Sequence, residues 1–314
     1  MDPRRFASLR VLLFACLRAP RGAGRTGQWR SDGARCKRPR VSGARSIYAP
    51  GLFSGKVAVV TGGGSGIGLA TAREMAYLGA KVAICGRKPE KIEAACAVLR
   101  ADGIADADIL GGTCDIREPD QVTAFVSSVL DRFGRIDVLV NNAGGQFPSA
   151  AEHLSTRGWD AVIRNNLNGT FYMTREVATR AMIPQKRGRI VMVTAMVVRG
   201  FPGMAHTGAA RAGVENLTRS LAVEWAQHDI RVNCVAPGNN IRSSGTAQYG
   251  DEALELARRA TPLKRLGTPE EVARVILFLA SDQNDFVTGA IYGVDGGMPL
   301  WGDIWMIPDP QATK

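Results

Sequence analysis

From Lys56 onward, short β-branched apolar runs alternate with longer stretches in which apolar residues recur every three or four positions. A strand buried on both faces reads as a continuous apolar run, and a helix packed on one face reads with a period near 3.6. The runs predict strands at 57–60, 81–85, 108–114, 137–140, 190–193, 231–235 and 290–294. The spaced stretches predict helices at 67–78, 89–101, 119–133, 169–182, 205–227 and 269–279. The last helix opens with Thr268-Pro269-Glu270-Glu271, a capping box with proline where its missing N–H is harmless. Strand and helix in regular alternation predict an α/β fold, a doubly wound seven-stranded parallel sheet in a single domain. Residues 239–266 carry few strand signals and many polar, Gly and Arg residues, and read as a mobile segment positioned to cover a ligand crevice.

Composition narrows the function classes. The 314 residues are 45% apolar, ample for a large core, and the longest apolar run is 11–17, far short of the roughly 20 residues that span a bilayer. The six cysteines, at 16, 36, 85, 96, 114 and 234, form no CxxC pair and no metal-ligand spacing with the three histidines, so neither disulfide nor metal is expected. A net charge of +11 would point to nucleic acid or membrane if it were spread over the fold. It is not spread: residues 1–46 hold eleven Arg and one Lys against Asp2 and Asp32, which accounts for ten of the eleven charges. No nucleic-acid or membrane partner is therefore expected for 47–314. The basic segment reads as a disordered or targeting leader, with an amphipathic stretch at 5–14 that suits mitochondrial import; otherwise the expected location is cytoplasmic.

Two local patterns carry chemistry. Thr61-Gly62-Gly63-Gly64-Ser65-Gly66-Ile67-Gly68 lies between the first strand and the first helix. Glycines there let the backbone approach a ligand, and a helix N-terminus offers unpaired N–H groups to a pyrophosphate, which makes the domain Rossmann-type. After the second strand stands Gly86-Arg87-Lys88, where a carboxylate would select the ribose hydroxyls of NAD. Arg87 can instead clamp a 2′-phosphate with Lys88 beside it, so NADP(H) is the expected cofactor.

These patterns, with Cys114-Asp115-Ile116, Asn141-Asn142-Ala143-Gly144, Asn166-Leu167-Asn168-Gly169 and Pro237-Gly238, resemble the short-chain dehydrogenase/reductase family over 49–308. The resemblance implies strand order 3-2-1-4-5-6-7 and a homodimer or homotetramer through the helices near Gly169 and Ala205. It implies cofactor contacts from Thr61, Gly62, Ser65, Gly66, Ile67, Gly68, Asp115, Ile116, Asn142, Ala143, Gly144, Asn166, Pro237, Gly238 and Ile241, with Asp115 on the adenine.

The catalytic positions depart from the family pattern. That pattern has a Ser that polarises the carbonyl, a Tyr that moves the hydroxyl proton, a Lys four residues on, and an Asn. Asn166 matches the Asn and Thr194 stands for the Ser, but Thr207 replaces the Tyr and Arg211 the Lys. A Thr hydroxyl does not titrate near neutrality. Alcohol oxidation needs a base for the hydroxyl proton, whereas reduction of a conjugated C=C thioester needs only polarisation and a proton from water. Gln146-Phe147, Gly158-Trp159, Phe171-Tyr172-Met173 and the stretch from His206 to Val214 further resemble the branch of trans-2-enoyl-CoA and 2,4-dienoyl-CoA reductases. That branch also contains members assigned as citronellol/citronellal dehydrogenases.

The expectation is an NADP(H)-dependent reductase of a trans-2-enoyl-CoA in fatty acid metabolism, with catalytic Asn166, Thr194, Thr207 and Arg211. Arg211 is expected on the nicotinamide ribose, and Gln146, Phe147 and His206 at the acyl-CoA substrate. A dehydrogenase of terpenoid or fatty alcohols, and a catalytically inactive NADP(H)-binding sensor, are the alternatives. His206 and Tyr172 are candidate proton donors with structural readings beside them. Arg242, Arg258, Arg259, Lys264 and Arg265 are candidates for the coenzyme A phosphates or for a solvated helix face, and Trp301 and Trp305 for closing the site.

Overall fold

The computed structural model describes residues 46–242, 246 and 250–300. The basic leader and the tail that contains Trp301 and Trp305 lie outside the described residues. Strands β1 (Val57–Thr61), β2 (Lys81–Gly86), β3 (Ile109–Thr113), β4 (Val138–Asn141), β5 (Gly188–Val193), β6 (Ile230–Pro237) and β7 (Ile291–Val294) form one sheet, ordered β3-β2-β1-β4-β5-β6-β7. Every pairing is parallel, and Val59 stands opposite Ala83 on β2 and Leu139 on β4. The strand order reverses between β1 and β4, where an open α/β sheet leaves a crevice at the strands' carboxyl ends.

Helices cover both faces, which is why the inner strands are apolar throughout rather than alternating. On one face α1 (Gly66–Tyr77), α2 (Pro89–Ala101) and α9 (Pro269–Ala280) bury Met75, Leu99 and Ile276 with Ile84 of β2. On the other, α3 (Pro119–Phe133), α5 (Gly169–Val177) and α7 (Ala205–Glu224) bury Phe125, Met173 and Leu221 with Met192 of β5. The capping box at Thr268 forms: its hydroxyl accepts from the Glu271 N–H, and the Glu271 carboxylate accepts from the Thr268 N–H.

The helices differ from the expectation in two places. The helix expected at 169–182 is part of a helical run over 156–185: α4 (Thr156–Ile163), a π turn at Arg164–Asn168, α5, a second π turn at Ala178–Met182, and α6 (Ile183–Gln185). α4 was hidden because Gly158 interrupts it and only Val162 is fully buried; Ser155 starts it by accepting the Gly158 N–H. The segment 239–266, read as a mobile cover for the ligand crevice with no helix assigned to it, contains α8 (Gly250–Ala260), whose Glu and Arg content leaves few apolar positions to betray its period. Among the described residues no helix is long and apolar enough to cross a membrane.

Candidate active site

A cavity of about 550 Å³ opens over the carboxyl ends of β1, β2, β4, β5 and β6. Gly62 and Gly66, at φ +66° and +55°, turn the chain from β1 into α1 in the left-handed region that favours glycine. Ser65, Gly66 and Ile67 bring the start of α1 to the cavity wall, with no acidic residue in the helix's first turn to compete for its N–H groups. Thr61 and Gly68 do not line the cavity; they hold its shape. The Thr61 hydroxyl accepts the N–H groups of Asn142 and Ala143 at 3.0 and 2.9 Å, while the Asn142 amide donates to the carbonyls of Thr61 and Gly62. A Cβ at Gly68 would collide with the Gly62 carbonyl and the Asn142 amide, so glycine is what lets α1 pack this closely.

Arg87, Lys88 and Lys91 form the wall beyond β2, and among the described residues none of the three side chains has an ion pair or hydrogen bond. Lys88 and Lys91 flank the start of α2, where the helix dipole favours anions rather than cations. Lys91 was not identified from the sequence; its signal is a cation in the first turn of a helix beside two more. Asp115 stays outside the cavity wall. Arg117 binds both its oxygens and holds its carboxyl below the usual range, while neighbouring Cys114 and Ile116 reach the wall. Cys85 lines the same end, its thiol pushed up by contact with Cys114 and by burial. Cys85, Cys96, Cys114 and Cys234 are all buried free thiols.

Toward β5 the wall is formed by Ala143, Gly144, Gly145, Gln146, Thr194, Met204 and Arg211, and beyond β6 by Pro237, Gly238 and Ile241. The Thr194 hydroxyl lies 3.2 Å from the Cys234 sulfur and 3.4 Å from the Val235 carbonyl, and burial pushes the Cys234 thiol up to about 12. Asn166 sits in the π turn, fully buried behind the wall; its amide donates to the Gly145 carbonyl at 2.8 Å and accepts from the Gly145 N–H at 2.9 Å. Arg211 projects from α7, donates to the Val193 carbonyl at 2.9 Å and keeps a buried Nε without a partner. Burial without a carboxylate lowers its guanidinium from 12.5 to about 10. A Cβ on Gly144 would collide with its Nη2 and come within 2.8 Å of Asn166 Oδ1.

The structure brings Thr194 and Arg211 to the cavity and leaves Thr207, His206, Phe147 and Tyr172 out of its wall. Thr207 is fully buried, and its N–H donates to His206 Nδ1 at 2.9 Å; the His206 ring meets Phe147 edge-on. Tyr172 packs against the core on the α3 and α5 side. Arg258 and Arg259 pair with Glu255, and Arg265 with Glu271; none of these, nor Arg242 or Lys264, lines the cavity. The inner side of α8 supplies Ala253, Leu254 and Ala257 to the wall, which the sequence could not reveal without that helix. Among the described residues the wall holds no Asp, Glu, His or Tyr, and its charged side chains are Arg87, Lys88, Lys91 and Arg211. No group of three or more potential metal ligands stands together among the described residues.

Residues 62–299 match the family model described as enoyl-(acyl carrier protein) reductase. The chain is a short-chain dehydrogenase/reductase. Among curated relatives of this short-chain dehydrogenase/reductase, it is 42% identical to the 3-oxoacyl-[acyl-carrier-protein] reductase FabG of Thermotoga maritima, over 79% of this chain and 99% of that one. It is 36% identical to a probable 2,4-dienoyl-CoA reductase of Bacillus subtilis, over 81% and 98%. Among solved structures, the citronellol catabolism dehydrogenase AtuB of Pseudomonas aeruginosa PAO1 superposes with a TM-score of 0.73 at 44% identity, over 81% of this chain and 99% of that one. The matched family, the parallel sheet and the crevice make the protein an oxidoreductase of this family.

Proposed function

We propose that the protein is an NADP(H)-dependent reductase of the 2,3-double bond of a trans-2-enoyl-CoA. The observation that carries this reading is the cavity wall: four cations and, among the described residues, no Asp, Glu, His or Tyr to take a hydroxyl proton. An alcohol dehydrogenase needs such a base; a conjugated thioester does not. The resemblance to 2,4-dienoyl-CoA reductase adds to this, and the likeness to a citronellol dehydrogenase keeps the alcohol reading as the second one.

The residues present fit a dinucleotide phosphate. The N-terminus of α1 turns its helix dipole toward the cavity, and Arg87, Lys88 and Lys91 bring three cations to a 2′-phosphate. Arg211 reaches the nicotinamide ribose. The cofactor, when bound, supplies the hydride. Thr194 stands beside the carbonyl of the substrate, and Gln146, Met204 and Leu254 line the space left for it. The same reading includes a homo-oligomer through α5 and α7.

The test is NADPH absorbance at 340 nm with the full chain and a medium-chain trans-2-enoyl-CoA, set against NADP with citronellol. Oxidation of NADPH with the enoyl-CoA alone is the expected result. Reduction of NADP by the alcohol would replace this reading with the second one, and NADPH binding without turnover in either assay would favour a sensor.

A further inference from the structure

Three polar side chains near β5 compete to polarise the substrate carbonyl, and two of them are already committed. Asn166 spends both ends of its amide on the Gly145 backbone. The Thr194 hydroxyl reaches the wall but already lies against the Cys234 sulfur and the Val235 carbonyl. Arg211 is different: it lines the cavity, is only 8% exposed, ties one nitrogen to Val193, and has no carboxylate partner among the described residues. Glu215, one turn further along α7, forms no ion pair with it and does not line the cavity.

Thr207 and Arg211 are four residues apart, so they share one face of α7. At these two positions the chain has a small side chain where the family has a phenol, and a longer, forked one where it has an amine. The guanidinium is planar and carries five donors, so one edge can hold a ribose hydroxyl while another serves a second acceptor. A buried cation without a counter-charge is strongly disfavoured until negative charge is brought to it. The thioester is neutral in the ground state and acquires that charge only during reaction, which is the condition for lowering the barrier rather than merely binding substrate.

We propose that Arg211, besides holding the ribose, donates an N–H to the thioester oxygen and stabilises the enolate formed during reduction. The inference rests on the enoyl-CoA reading. Hydride adds at the β-carbon, and the C=C electron pair moves through the α-carbon onto the carbonyl oxygen, which pairs with the guanidinium. Water then gives a proton to the α-carbon and the carbonyl re-forms. The substrate gains two electrons and two hydrogens, and NADPH becomes NADP.

The full chain and its Arg211→Met and Arg211→Lys variants test this, with folding checked by circular dichroism and NADPH affinity by fluorescence titration. At saturating NADPH, Arg211→Met is expected to lose on the order of a hundredfold in kcat with KM for the enoyl-CoA within a few-fold of wild type. Arg211→Lys is expected to bind NADPH nearly as tightly as wild type yet recover only part of kcat. In Arg211→Ala, whose truncated side chain leaves room for it, added ethylguanidinium is expected to restore part of kcat at saturating NADPH. Recovery of wild-type kcat in Arg211→Met once NADPH is saturating would confine Arg211 to the ribose and overturn the proposal. If Arg211→Met does not fold, an Arg211→Lys kcat equal to wild type overturns it. A wild-type protein that reduces no enoyl-CoA overturns the substrate reading itself, and this inference with it.

Discussion

Arg211 sets charge against burial more sharply than any other residue of the cavity wall, and the conflict has a measurable signature. Folding lowers its guanidinium from 12.5 to about 10. Between those values the unfolded chain holds a proton that the folded chain has released, so this residue makes stability rise with pH. In urea denaturation from pH 9.5 to 11.5, the stability of wild type relative to Arg211→Met is expected to increase with pH; a flat difference would mean the guanidinium is better solvated than its burial implies. Gly144 is bound to the same arrangement, since any Cβ there meets Arg211 Nη2 and Asn166. Gly144→Ala is expected to cost about 1–3 kcal/mol of stability, as overpacked cores do, and to weaken NADPH binding at least tenfold by moving the guanidinium. Unchanged affinity in that variant would mean Arg211 has room to shift without loss. The Gly62–Gly68 turn and Arg87-Lys88 were legible because each is contiguous and reaches the cavity, and Arg211 was found by its place in the resemblance; Thr207, found the same way, is buried away from the wall. What the sequence could not give is which neighbours turn inward. Asp115, expected on the adenine, lies outside the wall with Arg117 on its carboxylate, and Met204 reaches the wall through packing that no local pattern encodes.

At the scale of elements, the helical run from α4 to α6 shows how a local irregularity places Asn166 behind the cavity wall. A π turn interrupts it at Arg164–Asn168, and such turns recur at functional sites because they rotate a side chain out of the regular helical register. Asn166 thereby faces Gly145 and locks the loop that carries Gln146. The Thr170 hydroxyl donates to the Asn166 carbonyl at 2.8 Å, so the distorted turn keeps a partner for its backbone. None of this irregularity follows from periodicity, which expected a single helix from Gly169. The opposite case is α9, whose start and capping box were readable residue by residue. Thr268→Ala removes one side of that box and is expected to cost about 1 kcal/mol, read as a lower urea midpoint with an unchanged slope. A loss below a few tenths would assign the start of α9 to Pro269 and to packing on α1 instead.

For the whole molecule, the distribution of charge separates two facts that the total obscures. Ten of the eleven net positive charges lie in residues 1–46, so the high isoelectric point says little about the ligand of the folded domain. The charge that bears on function is the small set at the cavity, gathered from the ends of β2, α2 and α7 at the place where the strand order reverses. Three of those four cations stand at one end, Arg87, Lys88 and Lys91, and their neighbour α2 begins with them although its dipole favours anions. A phosphate bound there resolves both mismatches at once. The molecule should therefore be stabilised by NADPH well beyond NADH. A ligand at a hundred times its dissociation constant adds about 2.7 kcal/mol, which for a domain of this size raises the melting temperature by several degrees. Thermal melts of the full chain with equal concentrations of the two cofactors are expected to show the larger shift with NADPH, decreasing with added salt as a phosphate contact should. Arg87→Asp is expected to cut NADPH affinity on the order of tenfold or more while sparing or improving that for NADH, because a carboxylate repels the phosphate and accepts ribose hydroxyls. Equal shifts from both cofactors in the wild-type protein would leave the three cations without a ligand and return the cofactor to NAD(H).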